Sequence, residues 1–279
     1  MYINTINKYI NFLYYNNNMK NILLVILFII FFVSQSYTKE FFLTNKENLF
    51  ETYVLYIPKR YNYIKNSFDN LKIKPNYIQG PDKNMFKIDD LYNQNIITKK
   101  DKDNLLSNKP KKKYNIINTG RIACHLGHIN ILKQFLNSNN KYALIFEDDI
   151  QIKNINNLSI KLNNIMNNIP NDADIVYLSY CYEHCKLLKK YNDLFYIAER
   201  PLCRHSYAVS KKGAQIIINK TLPMNEPGDR MLANLIKKSE LKAYLVNSNY
   251  LLIPQNREDL GTNIGNYDKL KLCRNSHTY

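Results

Sequence analysis

A succession of short apolar runs, each stopped by a turn or polar residue and followed by a stretch of helical spacing, narrows what this chain can fold into. Thr52–Ile57 reads as a buried strand, and Pro58 ends it. Tyr61, Ile64, Phe68 and Leu71 then recur at intervals of three and four, the spacing of one helix face. A short extended piece around Tyr77 and Ile78 ends at Gly80-Pro81. Residues 82–117 are polar and Lys-rich and read as a helix-containing insertion with mobile loops. A stronger helix begins near Thr119, capped by Asn118 or Thr119, with Ile122, Leu126, Ile129, Leu132 and Leu136 on one face. Tyr142–Phe146 is the next strand, and a helix from about Asn157 to Asn168 follows. Asp174–Leu178 and Ser206–Val209 read as strands, the second leading into a helix through Lys220. Asp229 opens a further helix, Tyr244–Val246 is a last strand, and the chain after Pro254 is loop-like. This order defines an α/β domain, a sheet flanked by helices.

Glycine is scarce. The chain has 7 in 279 residues, where average usage gives roughly 20. Neither G-x-G-x-x-G nor G-x-x-x-x-G-K-[ST] occurs, so a nucleotide must be held without a Gly-rich phosphate cradle. The formal net charge of +16 favours anionic partners. The one dense run, Lys109-Pro110-Lys111-Lys112-Lys113, sits between periodic segments and reads as a solvated loop. No nucleic-acid module accompanies it, and no nucleic-acid partner is expected.

Ile22–Val33 is an unbroken apolar run preceded by Lys20 and followed by Ser34-Gln35-Ser36. A span needs about 20 apolar residues. The run therefore suits a secretory signal peptide or a signal anchor, within an amino-terminal extension of residues 1–36. Either delivers the rest to a secretory lumen, membrane-anchored or secreted, where cysteines pair. There are five: Cys124, Cys181, Cys185, Cys203 and Cys273. Cys181, His184, Cys185, Cys203 and His205 invite a zinc reading, but the spacing is not C-x-x-C. A disulfide among Cys181, Cys185 and Cys203 is the alternative.

The sharpest chemical feature is Glu147-Asp148-Asp149, directly after an apolar strand. Side chains alternate along extended backbone, so Glu147 and Asp149 point one way and Asp148 points the other or turns into the loop. Ligands of open α/β sheets bind beyond the carboxyl ends of strands. Three adjacent carboxylates repel one another unless a cation compensates. Hard oxygen ligands suit Mn²⁺ or Mg²⁺ bridging a diphosphate, which does the work of the missing glycine cradle. The competing reading is a solvated turn.

Gly120-Arg121-Ile122-Ala123-Cys124-His125-Leu126-Gly127-His128, followed by Ala143-Leu144-Ile145-Phe146-Glu147-Asp148-Asp149, resembles glycosyltransferase family 25. That family includes lipooligosaccharide and collagen hydroxylysine galactosyltransferases. Gly127 stands where the family usually has Ser. Asp174–Leu178, Ser206–Ala214 and Gly228-Asp229-Arg230-Met231-Leu232 continue the resemblance in order, over roughly residues 52–265. It implies a GT-A-like mixed sheet in one catalytic domain, residues 51–265, followed by a tail of residues 266–279. It also implies a UDP-sugar donor carrying galactose or glucose, a divalent metal, inversion at the sugar carbon, and a hydroxyl acceptor on a glycan or on protein hydroxylysine.

On that reading Glu147, Asp148 and Asp149 hold the metal on the diphosphate. Asp229 is the candidate base for the acceptor hydroxyl, with Glu226 second, and a helix N-cap is the competing role for Asp229. Arg60, just past the first strand, is a candidate for contacts to uracil or phosphate. His128 lies one helical turn after Cys124 and is read as a histidine packed near the site, with metal binding the alternative. Arg204 and His205 precede the 206–209 strand, where the family has a donor-facing segment. Two rival functions use the same features: a metal-dependent nucleotide-sugar phosphohydrolase, and a basic protein that binds glycan or nucleic acid without chemistry.

Overall fold

The computed structural model describes residues 49–261 apart from 70, 72, 108–116, 154 and 184–187. The apolar run at Ile22–Val33, the Lys109–Lys113 cluster, His184, Cys185, Cys273 and the 266–279 tail lie outside the described residues.

Among the described residues eight strands form one sheet. They are β1 (Phe50–Tyr56), β2 (Asn76–Gln79), β3 (Tyr142–Glu147), β4 (Ile175–Tyr177), β5 (Lys189–Lys190), β6 (Phe195–Ile197), β7 (Ser206–Ser210) and β8 (Ala243–Val246). Their spatial order is β2-β1-β3-β7-β4-β8-β6-β5. β1 runs parallel to β2 and β3, and β4 parallel to β8. β7 is antiparallel to both of its neighbours, β3 and β4. The sheet is therefore mixed, as a GT-A-like domain requires.

Eight α-helices accompany it among the described residues: α1 (Tyr61–Asp69), α2 (Ile88–Asn93), α3 (Lys99–Leu106), α4 (Thr119–Leu136), α5 (Leu158–Asn167), α6 (Lys211–Lys220), α7 (Gly228–Lys237) and α8 (Arg257–Leu260). Strand alternation divides the core into two layers. Tyr53, Leu55, Ala143, Ile145, Tyr177 and Tyr207 pack on one face with residues of α4, α6 and α7. Val54, Leu144, Phe146, Val176 and Tyr244 pack on the other with Ile64 and Phe68 of α1 and Leu162 of α5. Each buried Leu, Ile, Val or Phe among them contributes about 1.5–3 kcal/mol from its removal from water.

α4 is buried on more than the single face its spacing suggests, because sheet, α6 and α7 surround it. The Asn118 side chain caps it, accepting from the Arg121 N–H at 2.9 Å. Insertion residues Leu91, Ile97 and Ile117 form a third cluster with Ile122, Met224 and Met231. The 82–117 segment is thus docked against α4 where it is described. Among the described residues no helix is long and apolar enough to cross a membrane.

Candidate active site

The carboxyl ends of β1, β2 and β3 lie side by side and open into a cleft of about 480 Å³. Its lining includes Tyr56, Arg60, Gly80, Asp82, Cys124, Glu147, Asp148, Asp149 and Gln255. β7 enters this end of the sheet in the opposite direction, so its first residue, Ser206, pairs with Phe146. The segment just before it is thereby brought beside Glu147, whose N–H donates to the His205 carbonyl at 2.8 Å.

The three carboxylates have different surroundings. Glu147 turns toward α4, where its Oε1 is 2.9 Å from His128 Nε2 and 3.7 Å from Cys124 Sγ. Asp148 turns toward β1: Arg60 Nη1 donates to its Oδ1 at 2.8 Å and the Ile57 N–H to its Oδ2 at 2.7 Å. Asp149 follows in a turn, with its Oδ2 3.6 Å from Arg60 Nη1 and its Oδ1 accepting from Gln255 Nε2 at 3.0 Å. Arg60 is the internal cation that lets two buried aspartates stay adjacent. Its Nη2 also donates to the Gly261 carbonyl at 2.7 Å.

Electrostatics separate these groups further. Burial pushes Asp148 up to about 6, against the pull of Arg60 and the Ile57 N–H, and Asp149 adds to the rise. Burial and the Glu147 charge also raise Asp149, opposed by Gln255, His205 and Arg60. A carboxylate pair with raised values that shares one guanidinium could accept the further positive charge that a divalent cation would supply. The hard oxygens of Glu147 and Asp149 therefore fit Mn²⁺ or Mg²⁺, and Asp148 is the most heavily bonded of the three. Burial works to raise Glu147 too, but the His128 hydrogen bond, with Arg204 and His205, holds it down and ionised. Burial and the Arg204 charge hold His128 down, to about 4, against Glu147.

Arg60 is buried against the carboxylates and the chain's later carbonyls, so its guanidinium is committed inside the protein even though it borders the cleft. Arg204 is buried as well. It donates to His125 Nδ1 at 3.0 Å rather than lining the cleft. A Cβ on Gly228 would stand 2.5 Å from Arg204 Nη2 and 2.6 Å from His125 Nδ1, so this close approach needs glycine. His205 is buried and donates from Nε2 to the Ile253 carbonyl at 3.0 Å. His128 is fully buried, with Nδ1 3.0 Å from the Tyr207 hydroxyl.

Asp229 and Glu226 do not line the cleft. Asp229 sits in the first turn of α7, where Pro227 holds the N-cap position, and its Oδ2 accepts from the Cys203 N–H at 3.2 Å. Its charge still reaches Arg204 and Cys124. Glu226 accepts from Asn234 Nδ2 at 2.5 Å. Cys181 and Cys203 form a disulfide, which removes both sulfurs from any zinc set.

Gln255 and the Gly80–Asn84 wall were not visible in the sequence as site residues. Gln255 reaches Asp149 because residues 254–256 fold back on the turn after β3, where the Gln151 N–H donates to the Pro254 carbonyl and the Asn256 N–H to the Asp149 carbonyl. A lone Gln in a loop carries no local signal of that return.

A mixed sheet with a carboxylate-lined cleft at its strand ends, and a sequence that matches over most of that sheet, define a glycosyltransferase. The sequence model described as "Glycosyltransferase family 25 (LPS biosynthesis protein)" matches residues 51–232, about two thirds of the chain. The chain belongs to glycosyltransferase family 25. Membership implies a sugar donor and an acceptor. No curated protein matches the chain.

Proposed function

We propose that this enzyme transfers galactose or glucose from a UDP-sugar to a hydroxyl acceptor, a glycan or protein hydroxylysine, with inversion and with Mn²⁺ or Mg²⁺. The observation that carries the reading is the placing of Asp148 and Asp149 around Arg60, with Glu147 held by His128 beside them, at the ends of β1 and β3 in a cleft of about 480 Å³. Glu147 and Asp149 hold the metal, and Asp148 acts chiefly through Arg60, fixing the turn that presents Asp149. A divalent metal bound there would supply positive charge to the leaving diphosphate. The hydrogen bond from His128 keeps the Glu147 carboxylate aimed. Asp229, with Glu226 second, is the proposed base for the acceptor hydroxyl; neither lines the donor cleft, so this role requires the acceptor to approach from the α7 side. The apolar run at Ile22–Val33 supports a secretory-pathway location, with that segment as signal or anchor.

The test is release of UDP from a panel of UDP-sugars by the full chain, with Mn²⁺ and with chelator, in the presence of hydroxyl acceptors. Chelator-sensitive release from UDP-galactose or UDP-glucose, with sugar found on the acceptor, is the expected result. UDP release with free sugar alone, at saturating acceptor, assigns hydrolysis. Salt-sensitive binding that ignores Mn²⁺, with no turnover, assigns a binding protein.

A further inference from the structure

Cys124, His128 and Glu147 present one sulfur, one nitrogen and one oxygen that all lie within 4.8 Å of one another. Two of them come from α4, one turn apart, and the third from the end of β3. Helical spacing alone puts Cys124 and His128 on a common face. The opposing strand adds the carboxylate.

The trio has the features of a built site. His128 is fully buried, so its ring is held by packing, and its remaining nitrogen faces the Tyr207 hydroxyl at 3.0 Å. An oxygen behind the second ring nitrogen is the support that metal-bound imidazoles commonly have. Cys124 and Glu147 both line the cleft, which leaves a way in for an ion and an open fourth position. Among the described residues Cys124 is the one free cysteine, since Cys181 and Cys203 are bonded to each other. The Sγ to Oε1 distance of 3.7 Å is near the edge of a tetrahedron with metal–sulfur of about 2.3 Å and metal–oxygen of about 2.0–2.2 Å.

We infer that Cys124, His128 and Glu147 form a binding site for a soft divalent cation of the zinc class, set against the wall of the sugar-transfer cleft and distinct in chemistry from the all-oxygen Glu147/Asp149 set. Binding replaces the Cys124 S–H proton, which leaves to solvent. The ion takes the place of the Nε2 proton of His128; the ring's one proton then sits on Nδ1 and is donated to the Tyr207 oxygen, whose own hydroxyl hydrogen turns away from the ring. Thiolate and carboxylate together balance the ion's two charges, and the nearby Arg204 guanidinium favours the thiolate. Because Glu147 belongs to both sets, occupancy draws it away from the transfer metal. Zinc is therefore an inhibitor of transfer, a consequence that rests on the function proposed above, whereas the binding itself does not.

The full chain is titrated with Co²⁺, whose bond to a thiolate gives a near-ultraviolet charge-transfer band. The expected result is a band that one equivalent of Zn²⁺ removes, and its loss in Cys124→Ser. No band in the parent chain, or an unchanged band in Cys124→Ser, overturns the site. Should Cys124→Ser fold poorly by circular dichroism, the parent chain decides. Zn²⁺ is expected to slow alkylation of Cys124 by iodoacetamide, read on the Cys124 peptide by mass spectrometry. Alkylation at the same rate with and without Zn²⁺ overturns it.

Discussion

The imidazole of His128 bridges a phenol and a carboxylate: Nδ1 is 3.0 Å from the Tyr207 hydroxyl and Nε2 is 2.9 Å from Glu147 Oε1. Burial keeps this imidazole neutral and raises the Tyr207 hydroxyl well above its ordinary range, so the phenol stays protonated. One arrangement of protons satisfies all three groups: Tyr207 O–H donates to Nδ1, and Nε2–H donates to Glu147. The carboxylate at the cleft is therefore aimed from two residues behind it.

Tyr207→Phe removes that donor and leaves a buried nitrogen unsatisfied. The expected loss of stability is about 1–3 kcal/mol, measured by urea unfolding. An unchanged midpoint and slope would show that the phenol does not set the tautomer.

Asp148 and Asp149 separate under the same substitution. Asp148→Asn breaks the buried pair with Arg60, for an expected cost of about 3 kcal/mol. Asp149→Asn is expected to keep its Gln255 contact and most of its stability while losing Mn²⁺-dependent UDP-sugar binding. Calorimetric titration with UDP-galactose, with and without Mn²⁺, reads the second effect. Full Mn²⁺ dependence in Asp149→Asn would remove this residue from the metal set.

Asp229→Asn is expected to spare donor binding and slow transfer to acceptor. The fold tolerates it, since an acid in the first turn of a helix contributes about 0.3–1 kcal/mol. Single-turnover transfer at saturating donor is the measurement. Unimpaired transfer assigns the base elsewhere.

Acid weakens the fold through His125. Burial and the Arg204 charge hold its folded value well below the ordinary 6.5. Above about pH 6.5 both states are neutral there, and its contribution to stability is whole. Below it the unfolded chain takes up a proton that the folded one refuses, so stability falls by up to about 1.4 kcal/mol per pH unit. Asp148 acts in the opposite sense: its folded value, about 6, lies above its ordinary 3.8, so it adds stability as pH falls through that interval. The clean readout is a difference. His125→Asn, which keeps an acceptor for Arg204, should lose less stability than the parent between pH 6.5 and 5. Parallel curves for the two proteins would count against it.

Two glycines rank by what a methyl group would strike. A Cβ at Gly213 falls 2.1 Å from the Asp174 carbonyl oxygen, whereas at Gly127 it falls 2.6 Å from the end of the Leu55 side chain. Backbone cannot yield as a leucine can. Gly213→Ala should cost more than the about 1–3 kcal/mol of ordinary overpacking, and Gly127→Ser no more than that. Thermal unfolding gives the order, and a reversed order refutes it.

The strand and helix order was legible because β1, β3 and β4 are apolar runs with clear stops, and because Ile64 and Phe68 mark α1 by spacing. The short pair β5 and β6 was not, since Lys189-Lys190 and Phe195–Ile197 are too brief to show a period and the first is polar throughout. Strand direction was equally hidden. Nothing within Ser206–Ser210 says that β7 runs against β3, and that direction takes Arg204 into the interior beside His125. The Glu147–Asp149 cluster was plain in sequence, whereas its split between His128 and Arg60 depends on the sheet.

Gln255 holds Asp149, Asn256 donates to the Asp149 backbone, and the Gly261 carbonyl holds Arg60. All three lie beyond residue 232, where the family match ends. The strands that carry and flank the carboxylates, β1, β2, β3 and β7, are thus made before the residues that hold them in place. A chain still emerging from the ribosome has its carboxylates but not their keeper, and competence for sugar transfer arrives with the last part of the domain to be made.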